Sequence, residues 1–260
     1  MTIDNDVYNR LGSSWWDDHS PLVLLHGSMT TGRLDYFRGV LDRLGRLPAE
    51  NETPTALDIG SGGGFLAEEF ARLGFAVTGV DPSEASVQTA RDHALAGGLD
   101  IDYRTGVGEQ LPVRDAAFDV AYCSDVLEHV TDVDAVLAET SRVLRPGGVY
   151  LFDTPNRTLA SKLATAMTQR WRLTRVVDFA AHDWTMFLTP AELACRMRTQ
   201  GMVVRETVGL GPRAGWATIG ASLFRLRRGR LTYRQVSERF DMGQTRNRSL
   251  FTMGFALNVS

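Results

Sequence analysis

Cysteine is scarce in this chain. Cys123 and Cys195 are the only two in 260 residues, and they do not form a CxxC pair. That excludes a disulfide scaffold or a zinc ribbon and makes a reducing cytoplasm the simplest setting. An excess of positive charge is also absent: 28 Lys and Arg against 31 Asp and Glu leave a net charge of −3. A nucleic-acid partner held by bulk charge is therefore not expected. No apolar run approaches the ~20 residues of a membrane span, which leaves at most a peripheral membrane contact. The N-terminus, Met1-Thr2-Ile3-Asp4-Asn5-Asp6, is acidic and polar rather than basic then apolar, unlike a signal peptide. Internal repeats and low-complexity tracts are lacking. What is present is an apolar fraction of 43%, enough to bury the core of one large domain or of a domain with a cap.

Residues 1–50 read as a helical N-terminal segment. Candidate helices lie at 6–11 and 33–44, with Gly12-Ser13-Ser14 and the adjacent Trp15-Trp16 between them. The tryptophans read as packing anchors, a lid over a ligand being the sharper alternative. A polar linker at 48–54 opens the main domain, 51–260. From there strand and helix patterns alternate. Strands are expected at 56–59, 76–80, 101–104, 118–123 and 149–153, and helices at 65–73, 83–96 and 134–143. That rhythm means βαβ units, a parallel sheet and an α/β fold. The rhythm breaks at an amphipathic helix expected over 158–178, with Leu159, Leu163, Met167 and Trp171 on one side. Thr189-Pro190-Ala191-Glu192 then starts a helix, followed by strands at 202–208 and 251–257 around a basic stretch at 221–230.

The stretch carrying the most chemistry is Leu57-Asp58-Ile59-Gly60-Ser61-Gly62-Gly63-Gly64. A buried strand leads into a glycine turn and a helix start, the arrangement of an anion cradle. Asp81, closing the second strand, stands where a carboxylate would bond both hydroxyls of a ribose. These features suit NAD, FAD and S-adenosylmethionine alike. Asp58 would repel a pyrophosphate but complement an ammonium group, and that favours S-adenosylmethionine. Glu109 and Gln110 follow the third strand, where an adenine edge would lie.

Five segments in this order resemble a class I S-adenosylmethionine-dependent methyltransferase: the glycine loop, Val80-Asp81, Phe118-Asp119-Val120, Leu127-Glu128-His129-Val130 and Leu144-Arg145-Pro146-Gly147-Gly148. Ser14-Trp15-Trp16-Asp17, Gly32-Arg33-Leu34-Asp35-Tyr36 and His182-Asp183 narrow the resemblance to the ubiquinone-biosynthesis O-methyltransferase family. The resemblance implies a Rossmann-like, mostly parallel seven-stranded sheet with helices on both faces and an antiparallel last strand. Cap insertions are expected at about 157–188 and 210–248. It implies methyl transfer to a phenolic, catechol- or quinol-like hydroxyl of a small molecule, with N- or C-methylation, or a non-catalytic binding role, as rival readings. Cofactor contacts are expected from Arg33, Asp58, Gly60, Gly62, Gly64, Asp81, Glu109, Gln110 and Ser124. Asp125, Glu128 and His129 stand where some family members hold Mg2+, on the assumption that they share one helical face. Without a metal, His129 or His182 is the candidate general base.

Overall fold

The computed structural model describes residues 6–169 and 182–260. Its strands are β1 (Thr55–Ile59), β2 (Ala76–Asp81), β3 (Asp102–Thr105), β4 (Phe118–Ser124), β5 (Leu144–Pro155), β6 (Met202–Pro212), β7 (Met242–Thr245) and β8 (Phe251–Asn258). Its helices are α1 (Val7–Leu11), α2 (Ser28–Arg43), α3 (Phe65–Arg72), α4 (Glu84–Ala96), α5 (Val133–Val143), α6 (Leu159–Gln169), α7 (Pro190–Thr199), α8 (Trp216–Arg227) and α9 (Tyr233–Phe240). A π-helical turn, Val23–Gly27, leads directly into α2. Residues 170–178 of the expected amphipathic helix, Trp171 included, lie outside the described residues.

The strands form one mixed sheet in the order β3-β2-β1-β4-β5-β8-β6-β7. The first five run parallel, whereas β8 is antiparallel to both β5 and β6. The expected seven strands gain an eighth, β7, which pairs antiparallel with β6. The Leu-Arg-Pro-Gly-Gly stretch is not a separate turn before β5. It is the irregular start of that strand, with Leu144 opposite Phe118 and a register shift before Val149.

Why the central strands read as unbroken apolar runs follows from their alternation. On β4, Val120 and Tyr122 enter the core on one face of the sheet, and Ala121 and Cys123 the core on the other. Helices α2, α3 and α4 cover the first face and α5 and α7 the second. A parallel sheet needs both faces buried. Helix starts follow their signals: Ser83 Oγ accepts from Ser86 N at 3.2 Å, and Thr189 forms a reciprocal capping box with Glu192.

Helix α2 carries the N-terminal segment across the sheet edge, and Gly32 sets how closely it packs. A Cβ at Gly32 would lie 2.4 Å from the Met242 carbonyl oxygen and 2.7 Å from Gly243 Cα. Gly32→Ala must push α2 off β7. The expected cost is about 1–3 kcal/mol, roughly 3–10 °C in melting temperature, read by calorimetry.

Candidate active site

The carboxyl ends of β1, β2, β4 and β5 meet where the strand order reverses between β1 and β4. Ligands of open α/β sheets bind at such a point. A cavity of about 470 Å3 lies there. Its floor is the glycine loop, where Gly60, Gly62 and Gly64 take left-handed φ values of 76°, 51° and 87°. A Cβ at Gly60 would sit 2.3 Å from Val126 Cγ2, so only glycine lets the loop pass beneath the segment after β4. Gly60 N and Ser61 N both donate to the Val80 carbonyl, tying the loop to β2.

Two carboxylates flank this floor. Asp81 accepts from Gly62 N at 2.8 Å and from Ser83 N at 2.9 Å, which orients it along the cavity wall. Burial raises its pKa to about 6 against those two bonds. Asp58 is also buried, and burial together with the nearby Asp81 charge holds it well above the usual carboxylate range. A cationic ligand beside either carboxylate would draw its pKa back down.

The roof comes from the N-terminal segment. Trp15 lies against the loop so closely that a Cβ at Gly63 would fall 2.4 Å from its Cβ. Its Nε1 donates to Ser86 Oγ at 2.8 Å, and its ring packs 5.0 Å from His26 and 5.9 Å from Tyr8. Trp16 donates to the Gly63 carbonyl at 2.9 Å and stacks on His93. The two tryptophans are thus anchors whose packing surface is the glycine loop itself, and Trp15 also lines the cavity.

The inner end holds a cluster of buried charge. Arg33 Nη2 lies 2.9 Å from Asp125 and 2.7 Å from Asp153. Burial opposes the charge on Arg33, but the two carboxylates outweigh it and raise its pKa. Burial would likewise raise Asp125, yet the guanidinium and the bond from His26 hold it well below the usual range. Glu128 shows the reverse. Burial and the nearby Asp125 charge push its pKa well up, while Thr154 donates to its Oε2 at 2.9 Å. Glu128 Oε1 stands 4.0 Å from His129 Nε2 and 3.9 Å from His182 Nε2. Burial, aided by the neighbouring His182, drives His129 down to about 3, and burial also lowers His182. Both imidazoles are neutral, the form that accepts a proton or binds a metal.

The structure brings Arg33, Asp58, Gly60, Gly62, Asp81, Glu109, Ser124, Asp125 and His129 to the cavity wall. It does not bring Gly64, Gln110, Glu128 or His182 there; Glu128 and His182 lie behind His129 instead. Gly64 is instead the start of α3, where a Cβ would meet the Tyr103 hydroxyl at 2.3 Å, and Gln110 is exposed and bridged to Val107. The assumption that Asp125, Glu128 and His129 share one helical face is corrected. Residues 125–131 form a turn, and Asp125 itself is left-handed at φ 57°. That twist aims Asp125 at Arg33 and His26. Among the described residues, the ligand atoms that converge within 4.8 Å belong to Glu128, His129 and His182.

Sequence reasoning passed over Tyr8, His26 and Asp153. His26 had one available signal, an imidazole in a segment already suspected of folding over the site. Asp153 had another, since a carboxylate ending a parallel strand points to the ligand side of the sheet.

A family model described as a methyltransferase domain matches residues 57–152. The ubiquinone biosynthesis O-methyltransferase of Methylobacterium nodulans is 34% identical over 216 residues, covering 80% of this chain and 86% of its own. That of Paramagnetospirillum magneticum is 38% identical over 207 residues, covering 78% and 82%. Among solved structures, a SAM-dependent methyltransferase from Thermotoga maritima superposes with a TM-score of 0.60 at 19% identity, covering 96% of this chain and 99% of that one. That last likeness speaks for the fold alone.

Proposed function

Because the chain belongs to the ubiquinone-biosynthesis O-methyltransferase family of class I S-adenosylmethionine-dependent methyltransferases, we propose that it methylates a phenolic, catechol- or quinol-like hydroxyl of a small molecule. The observation that carries this reading is the two-ended cavity. A glycine loop with two ionisable carboxylates lies at one end, and His129 lines the wall beyond it, with Glu128 Oε1 4.0 Å behind it and 3.9 Å from His182.

In this reading Asp81 accepts from the ribose hydroxyls and Asp58 complements the methionine ammonium. Arg33 pairs with the methionine carboxylate, and Trp15 with the N-terminal segment closes over the cofactor. The segments around 157–188 and 210–248 cap the acceptor. The sulfonium makes its methyl group electrophilic, so the chain supplies alignment and a proton acceptor. The acceptor oxygen forms a bond to the methyl carbon as the carbon–sulfur bond breaks, its electron pair staying on sulfur. The hydroxyl proton passes to an imidazole of the His129–His182 pair. Loss of the sulfonium charge is matched by gain of an imidazolium near Asp125, so the net charge beside that carboxylate is conserved.

The Mg2+ set expected from the motif does not fit this reading. Asp125 is engaged by Arg33 and His26, and the converging donors are two imidazoles and one carboxyl. Mg2+ favours an oxygen shell, and such a set suits a first-row transition ion better.

Calorimetric titration with S-adenosylmethionine tests the cofactor half. Binding is expected to ionise Asp81, so at pH 6 the heat must depend on the buffer's ionisation enthalpy. With a free-protein pKa of about 6, Asp81 alone releases about half a proton there, affinity falls as pH drops further, and release fades toward pH 8. Asp81→Asn should lose this share. No binding of S-adenosylmethionine, or binding without methyl transfer to any catechol or quinol tested by mass spectrometry, would refute the reading at its cofactor or acceptor end respectively.

A further inference from the structure

Methyl transfer needs two ligands in the cavity at once. Its volume, about 470 Å3, falls in the lower part of the ~300–1,000 Å3 that a single drug-sized ligand occupies. One ligand of the cofactor's size accounts for such a volume, so an acceptor ring needs space that the chain itself fills. Besides imidazoles, three aromatic rings line the cavity: Tyr8, Trp15 and Phe65. Trp15 is fixed by its bond to Ser86, and Phe65 packs on both tryptophans, 5.9 Å from Trp15 and 4.3 Å from Trp16. Of the three, Tyr8 is the ring that lies against His129, edge-on at 85° with the ring centres 5.8 Å apart.

The Tyr8 side chain is itself a phenol, the chemical class proposed for the acceptor. A phenol that donates to an imidazole nitrogen at ~2.8 Å puts the two ring centres about 6 Å apart, and the Tyr8 ring stands at that distance from His129. It is also 5.8 Å from His26 and stacks on Trp15, so it fills the junction between the cofactor roof and the inner charge cluster. Carboxylates of both ends act on it. Burial, then Asp125, Glu128 and Asp81, raise the pKa of its hydroxyl, which keeps its proton. The main chain below is tied separately: Ser83 Oγ and Ser86 Oγ both donate to the Tyr8 carbonyl, at 3.2 Å and 3.3 Å. With α1 anchored on α4 in this way, the ring can leave by rotation between side-chain rotamers while the backbone stays in place.

We propose that Tyr8 is an internal place-holder for the acceptor: its ring occupies the acceptor's position beside His129, and an incoming phenolic ring must displace it. The inference rests on the reading of His129 as part of the acceptor end and of the acceptor as a phenol. It makes acceptor binding a competition with a side chain of the protein itself. The apparent affinity is then reduced to the fraction of molecules in which Tyr8 has already swung out.

Calorimetry of the full chain with catechol tests the proposal, with S-adenosylhomocysteine present so that no turnover occurs. Tyr8→Ala should bind catechol about tenfold more tightly than the wild type, whereas a ring that only walls the site would give weaker binding on removal. The excised side chain, 4-methylphenol, should bind Tyr8→Ala and compete with catechol there. The wild-type chain labelled with 3-fluorotyrosine gives a second reading that does not depend on the alanine variant folding. Its Tyr8 fluorine signal, assigned by its loss in Tyr8→Phe, should move toward the free-tyrosine position as catechol is added. Catechol that binds with this signal unmoved, or more weakly to Tyr8→Ala, or without competition from 4-methylphenol, overturns the proposal. Catechol that binds neither chain refutes the phenolic reading and takes this inference with it. Displacement of Tyr8 without methyl transfer, once S-adenosylmethionine is supplied, refutes the activity alone and leaves the place-holder standing.

Discussion

Arg33→Met is expected to lower folding stability by about 3–5 kcal/mol, because it leaves two buried carboxylates, Asp125 and Asp153, without their shared cation. Such a loss is a large part of the total for most domains. The charge balance supplies its own control. Arg33→Met combined with Asp125→Asn and Asp153→Asn removes the unpaired anions and should recover most of the melting temperature. In neither variant should S-adenosylmethionine affinity recover, since a charge-assisted bond to the methionine carboxylate is worth about 10- to 100-fold. Equal affinity in the triple variant and the wild type would remove Arg33 from the cofactor site while leaving its structural role intact.

The pH dependence separates the same variants. In the wild type the Asp125 pKa is depressed below its ordinary 3.8. Its contribution to stability is therefore present above that value and is lost as pH falls through the depressed one. Without Arg33 burial dominates and the pKa of Asp125 is raised. Stability is then lost as pH rises through the raised value. Between pH 7 and 5 the single variant should gain stability relative to the wild type, measured by denaturant titration at each pH.

The second large effect is expected on catalysis. His129→Ala and His182→Ala should each lower kcat by about 100- to 1,000-fold, the range of a positioned proton acceptor. The S-adenosylmethionine dissociation constant, measured separately, should change by less than about threefold, because the two imidazoles serve the acceptor end. The rings lie 5.1 Å apart, so the pair acts as a unit and the double variant should fall far short of the product of the two losses. Chelator added to the active enzyme discriminates further. Undiminished turnover supports proton transfer to imidazole alone, whereas loss restored by a first-row transition ion would assign Glu128, His129 and His182 to metal binding. Unchanged kcat in both histidine variants would remove them from the reaction.

Most of the sheet was legible because its signals are local. Buried parallel strands need apolar residues on both faces, so β1, β2, β4 and β5 stand out as runs bounded by glycine or aspartate. Helices α4 and α7 announce themselves through Ser83 and the Thr189–Glu192 box. The eighth strand was hidden because Met242–Thr245 has no alternation of its own. It exists because β6 offers an edge to pair with. The cofactor end of the site was equally legible, since its parts fall at a fixed spacing within one βαβ unit. Its inner end was not. The expected trio of Asp125, Glu128 and His129 rested on helical periodicity, and a left-handed Asp125 breaks that periodicity at its first residue.

By itself the amino-acid sequence determined the α/β class, the glycine loop with Asp58 and Asp81, and membership of a methyltransferase family, all of which rest on short-range spacing. Only the tertiary structure decided which charges neutralise which. Arg33 comes from the N-terminal segment, Asp125 from the end of β4 and Asp153 from the end of β5, up to 120 residues apart. His182 approaches Glu128 from a separate insertion. Protonation states inside a buried cluster depend on distance and dielectric, and neither is written in the order of residues along the chain.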